Sequence, residues 1–196
     1  MLNENGLLKP FTILYSGNLG LYYEFDTLLD AAEKLLGENF RLVFVGAGGR
    51  KQHIQDTVTK RGLTNVMMFP YQPFETLNDS LNACDASLVT IARGIEGISF
   101  PSKLYSSLAV GKPILAISEE GSELRDVVEN ERTGLWAKTG DVDALVKAIR
   151  TLMVDPALCA EFGKNARVLM EARYTIQTSA RAYANVLELA ADEGSR

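Results

Sequence analysis

Short runs of β-branched and aromatic residues alternate with segments of helical periodicity along almost the whole chain. The predicted strands cover residues 11–15, 41–45, 66–69, 86–91, 114–117 and 133–137. The predicted helices cover residues 25–36, 51–61, 74–83, a short stretch from 103, 124–128, 141–153, 157–172 and 175–191. Strands that alternate with helices pair in parallel, because each crossover helix returns the chain to the same end of the sheet. The sequence therefore predicts an α/β fold with a doubly wound parallel sheet, which binds ligands beyond the carboxyl ends of its strands.

Length and composition are those of one compact domain. The chain has 196 residues, of which 46% are hydrophobic, enough to bury a core without disulfides or metals. The alternation occupies residues 11–172, after a lead-in at 1–10; a last helix at 173–191 stands outside it and a short tail covers 192–196. That helix is expected either to close over an edge of this domain or to dock elsewhere.

Charge and residue usage exclude several classes of function. A net charge of −5 argues against nucleic acid as a partner, because phosphate neutralisation needs a basic face. Cys84 and Cys159 are far apart in apolar contexts and are predicted to be reduced thiols. With His53 as the single histidine, neither a protein-built metal site nor a hydrolase triad is expected. No apolar run approaches a membrane span and the start lacks a signal-peptide core, so a cytoplasmic location is expected.

Residues 99–116 combine a loop, a short helix and a strand with a cation at the junction. Ser102 is a predicted N-cap, and Gly111 a predicted stop for a helix that begins at Lys103. A cation in the first helical turn opposes the helix dipole by roughly 0.3–1 kcal/mol. A bound phosphate would reverse that sign, because the ammonium and free backbone N–H groups would both attract it. This pattern predicts an anion site at Lys103.

Two glycine-containing loops follow the first two predicted strands. Gly17 and Asn18 follow the first, where a ligand could approach the backbone and an amide donor is available. Gly46 and Gly48 follow the second, but Lys51 stands where a dinucleotide fingerprint needs its third glycine. Each loop is either part of a nucleotide site or a turn that needs glycine for its own conformation.

Two carboxylates stand out among those predicted to lie near the carboxyl ends of strands. Glu96 lies in a long glycine-punctuated loop after the fourth strand, where sugar or ribose hydroxyls could be held. Glu123 lies at the start of a later helix. The alternative for each is an ordinary solvated charge.

The order of these motifs resembles the nucleotide-binding half of the group 1 (family 4-like) glycosyltransferases, which have the two-domain GT-B fold. The resemblance spans residues 11 to 190 and is carried by residues 15–20, 44–48, 84–89, 102–113 and 131–141. Within the family, the run Pro-Ser-Lys-Leu-Tyr at 101–105 is similar to one subgroup. The implied fold is Rossmann-like, a single GT-B half with C-terminal helices.

The resemblance implies a site for a nucleotide-diphosphate sugar of the UDP or GDP type, with no cofactor and no metal. Its three parts are the base, the diphosphate and the donor sugar. The residues implied for them are Gly46, Gly48, Tyr71 and Gln72 for the base, Gly17, Asn18, Ser102 and Lys103 for the diphosphate, and Glu96 and Ser99 for the sugar. Glu123 is a further binding candidate, with no part of the donor assigned to it. Lys103 is the implied catalytic cation, which would stabilise the leaving diphosphate, and Glu96 is the second catalytic candidate.

The chain departs from the family pattern at two positions of this site. Ser106 stands where the family usually has a glutamate that holds the ribose hydroxyls, so it joins the binding candidates. Residues 21–24 lack the basic residue often found after the first loop, and Lys103 is the cation available to replace it.

The resemblance also implies a missing N-terminal half that binds a glycan or lipid-linked acceptor, on which the helix at 173–191 would pack. The isolated chain is then expected to bind nucleotide without transferring sugar, and to meet membranes only through the longer enzyme or its acceptor, at the inner membrane face. Two alternatives remain open: a sugar-nucleotide epimerase of the same fold, and a non-enzymatic nucleotide-binding or interaction module.

Overall fold

Six parallel strands form one sheet in the computed structural model, which describes residues 9–194. The strands are β1 (Phe11–Ser16), β2 (Phe40–Val45), β3 (Val66–Phe69), β4 (Ala86–Thr90), β5 (Ile114–Ser118) and β6 (Gly134–Lys138). Their spatial order is β3-β2-β1-β4-β5-β6. Because β1 lies between β2 and β4, the winding reverses there, and the carboxyl ends of β1 and β4 flank the crevice where such folds bind ligands. The predicted doubly wound, Rossmann-like sheet is confirmed.

Helices cover both faces of this sheet. They are α1 (Asp26–Lys34), α2 (Lys51–Arg61), α3 (Leu77–Asn82), α4 (Lys103–Ala109), α5 (Glu123–Asn130), α6 (Val142–Val154), α7 (Pro156–Arg173) and α8 (Ile176–Gly194). The predicted cap Asp141 accepts a hydrogen bond from the Ala144 N–H at 2.9 Å. The predicted helix stop also holds, since Gly111 follows α4 with a φ of 62°.

The two faces of the sheet differ in how well they are covered. On one face, Tyr15, Phe44 and Ile117 pack with α1 and α6 in the larger core cluster. On the other face, β4 and β5 pack against α4, α5 and α7 through a second cluster that includes Leu104 and Leu108. The remaining part of that face, beneath β1 and β2, has only a small cluster around Leu14, Val45 and Cys84. The core is therefore thicker at β4 and β5, which are well covered on both faces, than at β1 and β2.

Helix boundaries differ slightly from those predicted. The third helix begins as a 3-10 turn at Phe74–Thr76, because Pro73 fixes an extended backbone ahead of it and the segment buries no side chain. The first helix starts one residue later than predicted, and the last runs to Gly194. The predicted lead-in at 1–10 lies largely outside the described residues, whereas the first three residues of the predicted tail at 192–196 belong to α8. None of the helices within 9–194 is long and apolar enough to cross a membrane.

Candidate functional site

The predicted site residues lie on loops that leave the carboxyl ends of the strands. Gly17 directly follows β1, and α4 brings Lys103 over it from the connection between β4 and β5. A Cβ built on Gly17 would lie 2.8 Å from Lys103 Cε, and Gly17 has a φ of 130°, which L side chains rarely adopt. The backbone conformation of Gly17 therefore favours glycine, and the absence of a Cβ lets the lysine pack directly on it.

The Lys103 ammonium lies against two tyrosine rings. Its Nζ is 3.8 Å from the centroid of the Tyr23 ring and 4.9 Å from that of Tyr15. None of the ion pairs found within residues 9–194 includes Lys103. The Tyr15 hydroxyl donates to the Asn18 carbonyl oxygen at 2.6 Å, and burial raises the pKa of Tyr15, which keeps that donor protonated. Among the described residues, the cation in this crevice thus has no anionic partner.

The glycines after β2 serve the packing of the two loops on each other. A Cβ on Gly46 would overlap the Gly17 carbonyl oxygen, and one on Gly48 would lie 2.5 Å from the Asn18 Oδ1. The Leu19 N–H donates to the Ala47 carbonyl oxygen at 2.8 Å, which locks the loops together. The structure thus explains these glycines as residues that the loop conformation needs. Their second interpretation, as part of a nucleotide site, stays a prediction.

The start of α4 differs from the predicted capped terminus. Ser102 occupies the N-cap position, but it is already helical and its side chain makes no capping hydrogen bond. The N–H groups of Leu104 and Tyr105 donate to the carbonyl oxygens of Pro101 and Ser102 at 2.9 and 3.2 Å. The expectation of a set of free N–H groups is therefore wrong for these two, because the helix turn starts one residue early. What the junction offers an anion is chiefly the Lys103 side chain.

The Ser106 side chain turns back on its own helix. Its hydroxyl donates to the Lys103 carbonyl oxygen at 3.0 Å, and the Ser107 hydroxyl donates to the same oxygen at 2.9 Å. This is the usual local bonding of serine within a helix, which satisfies the hydroxyl. Ser106 therefore presents no free hydroxyl in this conformation, and a role in ribose binding stays a prediction.

A cavity of about 110 Å³ brings together the two residues implied for the sugar and the further candidate Glu123. Glu96, Ser99 and Glu123 all line it, with Phe100 and Leu124 among its apolar walls. One Glu96 oxygen accepts from the Gly94 N–H at 2.8 Å. The other is shielded from solvent and has no hydrogen-bond partner within residues 9–194. A buried acceptor of this kind needs a donor, and a sugar hydroxyl would supply one.

Tyr71 and Gln72 follow β3 at the carboxyl edge of the sheet. Tyr71 is exposed after β3, and the Gln72 amide donates to the Pro70 carbonyl oxygen at 3.0 Å. Gln72 also lines an apolar cavity of about 260 Å³ beneath β1 and β2, with Leu14 and Cys84. Both residues thus lie at the carboxyl edge of the sheet, as predicted, and a role in binding the base stays a prediction.

The groups considered for other chemistry are engaged elsewhere or isolated. His53 Nε2 lies 2.6 Å from a carboxylate oxygen of Asp26, and Arg50 binds the other oxygen of that carboxylate. Burial alone would raise the pKa of Asp26, but these two hydrogen bonds lower it. Cys84 and Cys159 are free. Within the described residues, no three His, Cys, Asp or Glu side chains are grouped to hold a metal ion.

The sequence pattern did not predict the contacts between the Lys103 ammonium and the tyrosine rings. Tyr15 and Phe25 are fully buried, and their ring centroids lie 5.0 Å apart, so Tyr15 belongs to the core as well as to the site. Tyr23 continues this aromatic chain at 5.9 Å from Tyr15. The feature that could have indicated them is the high density of aromatic residues between 15 and 25. Those residues point to a contact with Lys103 only once the position of α4 is known.

Comparison with known proteins places this geometry in a family. The chain is 34% identical over 145 residues to the putative colanic acid biosynthesis glycosyl transferase WcaI of Escherichia coli, covering 74% of this chain and 36% of that protein. It is 30% identical over 135 residues to the probable glycosyltransferase WbjE of Pseudomonas aeruginosa, covering 69% and 34%. The chain thus spans about a third of the length of these curated relatives.

A solved structure shows the same fold. HepE of Anabaena, crystallised in complex with UDP, superposes with a TM-score of 0.78 at 19% identity, over 92% of this chain and 49% of that one. The family model for glycosyl transferases group 1 matches residues 3–169. The expected resemblance is confirmed, and the chain belongs to the group 1 glycosyltransferases.

Proposed function

We propose that this chain is the donor-binding half of a longer glycosyltransferase, and that it binds a nucleotide-diphosphate sugar across the crevice between β1 and β4. The observation that carries the proposal is the Lys103 ammonium, which lies over Gly17 at the switch point without a carboxylate partner in the described residues. A cation held this way attracts a diphosphate without first breaking an ion pair.

The three parts of the donor follow the three parts of the sheet edge. The diphosphate lies at Gly17, Asn18 and Lys103, and the base lies toward β2 and β3. The sugar lies toward β5, where Glu96 and Glu123 line one cavity. The HepE structure supports this arrangement in its general form, since it holds UDP on the same fold.

The transfer step breaks the bond between the sugar C1 and the β-phosphate oxygen, whose electron pair stays on the departing diphosphate. A hydroxyl oxygen of the acceptor forms the new bond to C1, and its proton is released. Lys103 stabilises that growing negative charge, and a preorganised charge of this kind lowers the barrier most when water is excluded. The acceptor and the groups that bind it come from the part of the enzyme beyond this chain. The relation to WcaI favours a glycan acceptor in polysaccharide synthesis.

Helix α8 supports the proposal that a second domain is needed. Its exposed apolar side chains include Ile176, Tyr183 and Leu187, which share one face at spacings of seven and four residues. We infer that this face packs on the acceptor-binding half, so the isolated chain transfers no sugar.

Calorimetric titration of the chain tests the donor site. UDP, GDP and a panel of their sugars are titrated beside uridine, guanosine and the free sugars. At least one nucleoside diphosphate is expected to bind with a Kd below about 1 mM, more tightly than its nucleoside. If no nucleotide binds at millimolar concentration, the donor-binding proposal is wrong and the chain is an interaction module. An epimerase would instead convert one UDP-sugar into another, which product analysis of the same mixtures detects.

A further inference from the structure

The Lys103 ammonium packs on the ring of Tyr23. The Lys103 Nζ is closer to the Tyr23 ring centroid than to the Tyr15 centroid, at 3.8 against 4.9 Å. Tyr23 is half-buried, directly before the residues that start α1. An ammonium this close to an aromatic face is attracted by the negative charge of the ring's π-system.

The Tyr23 ring is itself fixed by the core. It packs edge-on against Tyr15 at 5.9 Å, with an interplanar angle of 70°, and Tyr15 packs on Phe25 at 5.0 Å. The adjoining backbone is tied to β4, because the Thr90 hydroxyl donates to the Glu24 carbonyl oxygen at 2.9 Å and the Ala92 N–H donates to the Tyr22 carbonyl oxygen. The ring is therefore held by its neighbours on both sides, and it offers the ammonium a fixed face to pack on.

An aromatic partner has a different consequence from a carboxylate partner. It orients the cation without neutralising it, and it leaves the N–H donors of the ammonium available for another acceptor. A diphosphate that arrives at Gly17 can then accept from an ammonium that is already in place. A carboxylate at the same point would have to be displaced first.

We propose that Tyr23 is a positioning residue for Lys103, whose ring holds the ammonium over Gly17 for the diphosphate of the donor. The inference rests on the proposed function for its ligand, whereas the contact between the ring and the ammonium exists in the free protein.

The first test therefore needs no nucleotide. The Lys103 ε-CH2 protons lie in the shielding region of the Tyr23 ring, so their NMR resonance is expected upfield of those of the other lysines. The peak is assigned by its loss in Lys103→Ala. In Tyr23→Leu, the chemical shift of this resonance is expected to move toward that of the other lysines. In Tyr22→Leu, which removes the exposed neighbouring ring, the chemical shift is expected to stay unchanged. A Lys103 resonance at the ordinary position in the native chain overturns the proposal, whether or not any nucleotide binds.

The second test measures UDP affinity in a double-mutant cycle. Tyr23→Leu is expected to weaken UDP by about 2- to 5-fold and to leave uridine unchanged. Tyr23→Phe, which keeps the ring, stays within about twofold of the native chain. In the Lys103→Ala background, Tyr23→Leu has no further effect, because the cation it positions is gone. An equal loss in both backgrounds, or an equal loss for uridine, shows that Tyr23 acts without Lys103 and overturns the proposal. Failure of the native chain to bind either UDP or GDP, with the NMR shift present, instead contradicts the proposed function and not the positioning of Lys103.

Discussion

Gly17 is the residue on which the phosphate region depends most directly. Gly17→Ala places a methyl group against Lys103 Cε and forces alanine into a φ of 130°. The lysine side chain is flexible enough to move away, so the variant is expected to fold with some loss of stability, on the order of 1–2 kcal/mol. Calorimetry should show UDP binding weakened by roughly 10-fold, because the ammonium is displaced. Gly121→Ala, where a Cβ meets no atom within 4 Å, is the control and should bind as the native chain does.

Glu96 makes a separate prediction for the sugar. Glu96→Gln keeps an acceptor for the Gly94 N–H but replaces the unpartnered carboxylate oxygen with an amide donor. A UDP-sugar should then lose roughly 10-fold in affinity, the cost of an unmatched buried polar group, while UDP itself is unaffected. Glu75→Gln, at an exposed position, is the matched control. If the native chain and the Glu96→Gln variant bind the UDP-sugar equally well, the sugar lies outside this cavity.

Sequence reasoning predicted the positions of the candidate residues better than their contacts. Position in the chain and residue type indicated that Lys103, Gly17 and Glu96 lie at one edge of the sheet, because parallel strands bring their carboxyl ends together there, and their binding roles stay predictions. The direction of a side chain depends on tertiary packing, which the sequence pattern does not contain. It therefore did not predict the Tyr23 ring against the Lys103 ammonium, or the hydrogen bond from the Ser106 hydroxyl to the Lys103 carbonyl oxygen.

Among the elements, the packing of α4 on α7 sets the position of Lys103. The two approach so closely that a Cβ on Gly163 would overlap the Gly111 carbonyl oxygen, and Arg167 donates to the Ala109 carbonyl oxygen at 2.7 Å. Gly163→Ala should destabilise the chain by about 1–3 kcal/mol, because backbone must shift to admit the methyl group. Urea denaturation measures this. An unchanged midpoint would mean that α7 can move away at no cost.

Helix α8 is the element whose stability is expected to depend on a partner. Its exposed apolar side chains gain little from packing in this chain, and most helix stability in proteins comes from such packing. Amide hydrogen exchange at residues 183–190 should therefore be much faster than in the buried turns of α7. Slow exchange at both sites in the monomeric chain would show that α8 is stable without a second domain.

The alternation of strands and helices made the overall fold predictable. It did not predict that helices cover the two faces of the sheet unequally. The period of each segment identifies strand or helix, and alternation leaves few topologies. The sparse packing beneath β1 and β2 arises because residues 74–82 form a 3-10 turn and a short helix that bury no side chain. Periodicity over 74–83 predicts a single helix and carries no information on how tightly it packs.

The central claim, that this domain binds the diphosphate of a donor, is tested by comparing its affinities for UDP and uridine. In Lys103→Ala, UDP should lose roughly 10- to 100-fold in affinity, the range for a charge-assisted contact, while uridine changes by less than about twofold. Lys112→Ala, which removes the same charge just before β5 at the opposite edge of the sheet, should leave both affinities unchanged. Equal losses for UDP and uridine in Lys103→Ala, or no loss for either, would contradict a diphosphate site at the crevice between β1 and β4.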